Sequence, residues 1–125
     1  MIDPDSPFYQ RFVLMLESGQ VQPRVMDVVT NIMTQIEQDY GLSLNEDNAG
    51  MFVTHIALAL QRLTDDEPLE EVPSVVLDEA RALTRQWNYA QQIAAEVAGM
   101  LDRPLPEGEI GYLTIHLERL VQEAS

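Results

Sequence analysis

Two histidines are the residues of this sequence best suited to chemistry near neutral pH, because imidazole can act there as nucleophile, acid, base or ligand. Each precedes an arginine at helical spacing: Arg119 follows His116 by three residues, and Arg62 follows His55 by seven. A neutral imidazole can attack a phosphoryl group, and a nearby guanidinium can receive the phosphate charge. The spacing therefore makes phosphoryl transfer to histidine a candidate chemistry.

The segment that carries His116 is predicted as a helix with an apolar face and an adjoining polar strip. At 100° per residue, the core-facing stripe consists of Ile110, Leu113, Leu117, Leu120, Val121 and Ala124. The neighbouring strip consists of Glu109, Tyr112, His116, Arg119 and Glu123. We expect this strip to lie at the edge of the buried face, where a partner or a phosphate reaches His116. Either Glu109 or Glu123 could orient the ring.

The segment that carries His55 repeats this arrangement. A helix is predicted from about Asn48 to Thr64, with a core stripe of Ala49, Phe52, Val53, Ile56, Leu60 and Leu63. A second strip, about 100° round the axis, consists of Met51, His55, Leu58 and Arg62. Arg62 lies about 10 Å along the axis from His55, so it would have to fold back or serve a phosphate across a groove.

The composition excludes several classes of function. The 125 residues carry a net charge of −14, from 21 acidic and 7 basic residues, and every basic residue is an arginine. The arginines are scattered along the chain, so direct binding of nucleic acid is not expected. Without lysine, Schiff-base chemistry is excluded. Without cysteine, disulfides and thiolate metal sites are excluded, which indicates a reducing compartment.

Neither a membrane location nor a metal centre is indicated. No apolar run approaches the roughly 20 residues that span a bilayer, and the N-terminus lacks the basic start of a signal peptide. Neither histidine has a glutamate three residues before it, and no His-Glu-x-x-His motif occurs. We therefore expect a cytoplasmic protein without a metal or cofactor. An enzyme would need a deep pocket with convergent polar groups, for which the sequence gives no substrate.

The other elements are also predicted to be helical. A short helix from Pro7 to Ser18, capped by Ser6, belongs to an N-terminal extension, residues 1–22. The helical domain, residues 23–125, opens with a helix from Pro23 to Tyr40 that Gly41 ends. No segment alternates with period two. We predict an all-α bundle of five or six helices.

The sequence does not decide how many helices lie between the two that carry the histidines. Ser74 starts a helical region, and Asn88 could cap a fresh helix, so this region is read either as one bent helix or as two consecutive helices. The final helix is predicted to start between Pro106 and Gly108.

Two motifs resemble those of the regulation domain of the bacterial sugar phosphotransferase system. The first is Leu105-Pro106, Glu109-Ile110 and Tyr112-Leu113-Thr114-Ile115-His116, and the second is a histidine followed by arginine at the seventh position, His55 to Arg62. The likeness covers roughly residues 24–123. The family commonly has Asp immediately before its upstream histidine, where this chain has Thr54.

The resemblance implies an all-helical, homodimeric domain with His55 and His116 as phosphoacceptors. Arg62 would be the matching arginine, and Arg119, Glu109 and Tyr112 would stabilise the phosphate or orient a ring. The donors would be the histidine phosphocarrier protein or sugar-permease components, which links the domain to carbohydrate metabolism. Family members usually carry two such domains and a nucleic-acid-binding domain, so a stand-alone copy would modulate transcription or antitermination through a partner protein.

The alternative is a helical dimerisation or interaction module that keeps the fold without being phosphorylated. Thr54 in place of Asp and the missing nucleic-acid-binding domain favour it. Two imidazoles buried among neighbouring side chains would support the module, whereas solvent-facing imidazoles near arginines would support the phosphorylated regulator.

Overall fold

The computed structural model describes residues 3–69 and 71–124, and these residues form six α-helices and no strand, as predicted for an all-α protein. The helices are α1 (Tyr9–Glu17), α2 (Pro23–Tyr40), α3 (Glu46–Thr64), α4 (Ser74–Ala82), α5 (Thr84–Leu101) and α6 (Glu107–Ala124). They divide into two units, with α1 to α3 in Met1–Glu67 and α4 to α6 in Pro68–Ser125. None of the described helices is long and apolar enough to cross a membrane.

In the first unit, local sequence signals fix the helix ends. Gly41 ends α2 with φ +65°, the left-handed conformation predicted for it. At the start of α3, Asn45 and Asn48 form a capping box, with N–H to side-chain oxygen distances of 2.8 and 3.0 Å. This reciprocal cap explains why α3 begins at Glu46, two residues before the predicted Asn48.

The predicted cap of the first helix is wrong by two residues. α1 begins at Tyr9, with Phe8 in the capping position. The Ser6 hydroxyl accepts the Phe8 N–H at 3.2 Å and so supports the turn before the helix. Phe8 and Phe12 are each only 2% exposed, and their rings stack 5.8 Å apart. Thus α1 contributes large side chains to the core of the first unit.

The core of the first unit is built mainly by the apolar stripes of α2 and α3. The fully buried side chains are Val25, Val29, Ile32 and Ile36 on α2 and Phe52, Val53, Ile56 and Leu60 on α3. On α3 the buried side chains match the predicted stripe, except that Leu63 is half-buried. Complete burial of such side chains stabilises a fold by roughly 1.5–3 kcal/mol each, so the stripe fixes the rotation of α3 about its axis. That rotation determines which way His55 faces.

In the second unit, the break between α4 and α5 lies at Leu83, and the predicted cap at Asn88 is wrong. Leu83 has φ −84° and ψ 69°, which is not helical, whereas Asn88 lies inside α5 and is exposed. Side chains on either side of the break contact one another and the start of α6. Arg81 on α4 pairs with Glu107 at the start of α6, and its guanidinium carbon lies 5.7 Å from the centre of the Trp87 ring.

The buried face of α6 is wider than the predicted stripe. Ile110 and Val121 are only half-buried and Ala124 is exposed, whereas Glu109 and His116 are buried. The physical reason is that α6 packs against both α4 and α5. Gly111 is buried on the α4 side, where an added Cβ would lie 2.8 Å from a terminal methyl of Leu77. Two neighbouring helices cover more of the circumference than one apolar stripe indicates.

Two glycines should respond oppositely to replacement by alanine. Gly41→Ala should lower the free energy of unfolding by about 1 kcal/mol, because the residue has φ +65°. Gly99→Ala should raise it by about 0.5–1 kcal/mol, because the added Cβ on α5 meets nothing within 4 Å. Urea unfolding followed by circular dichroism measures both. Equal effects of one sign would contradict the assigned backbone conformations.

Candidate functional site

His55 is partly exposed on α3. Met51, one turn before it, is 83% exposed, Leu58 is half-buried and Arg62 is exposed, so the predicted strip borders solvent. The Arg62 guanidinium makes no ion pair with any residue in the described ranges 3–69 and 71–124. Arg62 also lies in the last turn of α3, where a positive charge suits the helix dipole. His55 therefore has one open side, and that side leads towards a cation.

Beside His55, an arginine of α1 is anchored on α3. Arg11 Nε and Nη2 donate to the Glu46 carboxylate at 2.9 and 2.7 Å, and Nη1 donates to the Thr54 hydroxyl at 2.7 Å. The Thr54 hydroxyl in turn donates to the Gly50 carbonyl at 3.0 Å. The guanidinium lies directly over Gly50, whose added Cβ would stand 3.3 Å from Nη2. These contacts, here called the Arg11 anchor, hold α1 against the residue that precedes His55.

The Arg11 anchor shifts the titration of both partners. The hydrogen bond from Arg11 lowers the pKa of Glu46, and the hydrogen bond to Glu46 raises the pKa of Arg11, while burial opposes each shift. The side chains are 35% and 43% exposed, so solvent weakens the attraction between them. Both side chains are therefore ionised at neutral pH. The pair serves mainly to position α1 on α3 and adds little to the free energy of unfolding.

An open cavity of about 360 Å³ lies between α1 and α3 next to this anchor. Its lining combines the polar anchor with apolar side chains: Gln10, Arg11, Leu14, Met15, Gln20, Glu46 and Thr54. Leu14 is 67% exposed at this cavity. A carboxylate already pairs with the arginine there, so the cavity is not built to hold an anion.

His116 is placed differently from the expectation. It is only 6% exposed on α6 and stacks on the Tyr112 ring, with centroids 6.2 Å apart and planes 9° from parallel. Glu109, one turn before Tyr112, is 3% exposed. The expectation that a partner or phosphate directly reaches His116 at the helix edge is therefore wrong for this conformation. The wide buried face of α6 is the cause.

The other members of the His116 strip lead from the interior to solvent. Tyr112 is half-buried, and burial raises its pKa, as does the nearby Glu109 carboxylate, whereas Arg119 lowers it. Arg119 is exposed and forms an ion pair with Glu123 at 3.5 Å. A phosphate near His116 would thus meet a guanidinium that already has a carboxylate partner.

The structure brings Glu109, Tyr112, His116 and Arg119 together on α6 of the second unit, and His55 and Arg62 on α3 of the first. Sequence reasoning missed Arg11 and Glu46, which contact each other over 35 residues of chain. The available signal was an arginine within an otherwise uncharged stretch of the first helix. No group of three or more His, Asp or Glu within residues 3–69 and 71–124 is placed to hold a metal.

The family is decided by comparison with known sequences. The family model of the PRD domain matches residues 26–120. The chain belongs to the PRD family. Both histidines lie within the matched residues, and the likeness to phosphotransferase-system regulation domains is confirmed. Most of the chain is thus a PRD domain, whereas α1 and its Arg11 lie before the matched residues.

Two PRD-containing relatives come from Bacillus subtilis (strain 168). The transcription antiterminator LicT is 23% identical over 128 residues, covering 98% of this chain and 46% of LicT. The PtsGHI operon antiterminator is 24% identical over 100 residues, covering 78% of this chain and 36% of that protein. The chain thus spans less than half the length of either relative. No solved structure matches the chain.

The Arg11 anchor should contribute a pH-dependent coupling energy. A double-mutant cycle with Arg11→Gln and Glu46→Gln should give about 0.5–1 kcal/mol at pH 7, because both groups are partly exposed. Since folding lowers the pKa of Glu46, this stability is present above the unfolded pKa and is lost as the pH falls through the folded one. Urea unfolding between pH 7 and pH 3 tests this, and a coupling independent of pH would refute it.

Tyr112 should titrate above the range of an ordinary tyrosine. Arg119→Gln should raise the pKa of Tyr112 further, because it removes the cation that lowers it. Ultraviolet absorbance during alkaline titration, with Tyr112→Phe subtracted, measures the shift. Arg24→Gln is the matched control and should leave the pKa of Tyr112 unchanged, because Arg24 is not among the groups that shift it. A lower pKa in the Arg119 variant would rule out the proposed electrostatics.

Proposed function

We propose that this PRD domain is a non-enzymatic regulator that receives phosphoryl groups on histidine. The donors are the histidine phosphocarrier protein or sugar-permease components. The domain acts as a cytoplasmic homodimer and modulates transcription or antitermination through a partner protein. The observation that carries the proposal is that the family match encloses His55, a partly exposed histidine with an exposed arginine further along its helix. The antiterminator relatives support the regulatory role.

His55 is the acceptor that a donor reaches first. Its ring borders solvent in the described conformation, so transfer needs no unfolding of α3. Thr54 does not contribute a carboxylate, but its hydroxyl is held by the Arg11 anchor.

With the phosphohistidine of the phosphocarrier protein as donor, the transfer exchanges one nitrogen–phosphorus bond for another. The lone pair of an imidazole nitrogen of His55 attacks phosphorus, and the donor nitrogen takes the electron pair of the bond that breaks. The acceptor ring releases one proton and the donor ring takes one up, so the proton count is unchanged. Arg62 makes no ion pair with the described residues and can turn towards the new charge without first breaking one.

His116 is proposed as a second acceptor that requires a local opening. Its ring is 6% exposed and stacked on Tyr112, so a donor meets it only after α6 or its neighbours move. A phosphate there adds about −1.5 to −2 charges to a ring that is buried in the described conformation. The cost of burying that charge would hold the opened state, unless Arg119 exchanged Glu123 for the phosphate. Phosphorylation of His116 would thus act on the packing of the second unit and on the dimer.

The burial of His116 also favours a second candidate function, a helical dimerisation or interaction module that is not phosphorylated. In that case the stacked His116 and Tyr112 serve only the packing of α6. The two candidates differ in one observable, which is acid-labile phosphate on the purified protein.

The protein should incorporate phosphate when incubated with phosphoenolpyruvate, the general phosphotransferase enzyme and the phosphocarrier protein. His55→Ala should remove the fast phase of incorporation, because the exposed acceptor is gone. His116→Ala should remove only a slower phase, which the opening of the second unit limits. Mass spectrometry under alkaline conditions locates the phosphate, and circular dichroism verifies that each variant is folded.

The absence of phosphate on both histidines of the wild-type protein would eliminate the phosphoacceptor proposal and leave the interaction module. Equal, fast phosphorylation of both histidines would keep the function but contradict the ordering by exposure. Size-exclusion chromatography with light scattering, before and after phosphorylation, tests the proposed effect on the dimer.

A further inference from the structure

The first unit exposes two large apolar side chains on either side of the residue that precedes His55. Met51 and Leu14 are 83% and 67% exposed, more than any other large hydrophobic residue described. Met51 lies one turn before His55 on the strip of α3 that borders solvent. Leu14, on α1, lines the cavity that also contacts Thr54. Burial of such side chains is favourable, so their exposure around Thr54, the neighbour of His55 in sequence, points to a contact surface.

We propose that Leu14, Met51 and Leu58, together with Thr54, form the surface on which the phosphoryl donor protein docks to reach His55. This surface is called the donor face below. The inference deepens the proposed function and rests on His55 being the acceptor. It adds the residues that recognise the donor, and it gives α1 a part in that recognition although α1 lies before the family-matched residues.

Geometry requires a donor at His55 to cover this surface. The reacting nitrogen and phosphorus must approach to about 3–3.5 Å, and a protein surface at that distance also contacts residues one helical turn, about 5.4 Å, to either side. Met51 and Leu58 are the residues one turn before and after His55 on the same strip. No folded donor can therefore reach the ring without contacting these side chains.

Charge complementarity defines the partner further. The chain carries −14, and exposed acidic side chains lie at both ends of α3: Asp47 one turn before Met51, and Asp65 one turn after the exposed Arg62. Glu46 is already paired with Arg11. A donor that fits is apolar at the centre of its contact surface and basic at the rim, with its phosphohistidine next to the apolar centre. Encounter between such surfaces is faster at low salt.

The Arg11 anchor fixes the part of the donor face that α1 provides. Its hydrogen bonds to Glu46 and Thr54 hold α1 against α3, and Leu14 lies three residues after Arg11 on the same helix. Arg11 is thus a positioning residue. Loss of Arg11 should weaken the contribution of Leu14 to donor binding. The contribution of Met51 should be unchanged, because Met51 belongs to α3 itself.

The test compares aspartate variants of exposed apolar residues in the full chain. Met51→Asp and Leu14→Asp should each lower kcat/KM for phosphorylation of His55 by about tenfold or more, with the phosphate located by mass spectrometry. Met51→Leu should retain most of the rate, because it keeps an apolar side chain of similar size. Val75→Asp is the matched control: Val75 is 61% exposed on α4 and is not part of the proposed donor face, so its variant should behave as wild type.

The effect should lie in KM rather than in kcat at saturating donor, because docking residues do not touch the reacting atoms. Arg11→Gln should reproduce part of the loss in the wild-type background and none in the Leu14→Asp background. Circular dichroism verifies that each variant is folded.

Two failures can be told apart. If His55 of the wild-type protein accepts phosphate and the Met51 and Leu14 variants accept it at the wild-type rate, the donor face is wrong and the proposed function stands. An equal loss in the Val75 variant would likewise overturn the donor face, because a general charge effect would then explain the rates. If the wild-type protein accepts no phosphate, both proposals fall.

Discussion

Each histidine shares its helix with the apolar side chains that hold a unit together, and this constraint governs how far each ring reaches solvent. On α3 the buried stripe runs through Phe52, Ile56 and Leu60, and the strip about 100° round the axis remains partly open, so His55 borders solvent. On α6 two neighbouring helices bury most of the circumference, and His116 lies inside. The same residue type at a similar place beside a core stripe therefore has two different accessibilities.

Accessibility then sets what a phosphate would do at each place. A charge added to a ring that borders solvent is screened and costs little reorganisation, so it mainly changes what the surface attracts or repels. A charge added to a buried ring could not remain desolvated without a partner, so the surrounding packing would have to change. The two histidines are thus physically suited to different tasks, the first to exchange with a donor and the second to a change of conformation.

The sequence predicted the helices well because caps and stripes are local. Gly41 and the apolar positions of α2 and α3 needed no knowledge of distant residues. Two consecutive helices were one of the two readings left open for residues 74–101, but the position of the break, at Leu83, was not predicted. The burial of His116 and the pairing of Arg11 with Glu46 were not predicted either. Helical periodicity gives the direction of a side chain but not the number of helices that cover it.

Because the chain has few cationic side chains, the number of arginines limits how well the charge of a phosphate can be stabilised. Of 7 basic residues, Arg11, Arg81 and Arg119 are paired with the carboxylates of Glu46, Glu107 and Glu123. A phosphate recruits such an arginine only by displacing a carboxylate, and the displaced carboxylate then adds repulsion. Arg62 has no such partner among the described residues, so the phosphate of His55 gains an attraction there without an equal loss. In a chain with 21 acidic residues, this asymmetry favours His55 as the place where added charge is tolerated.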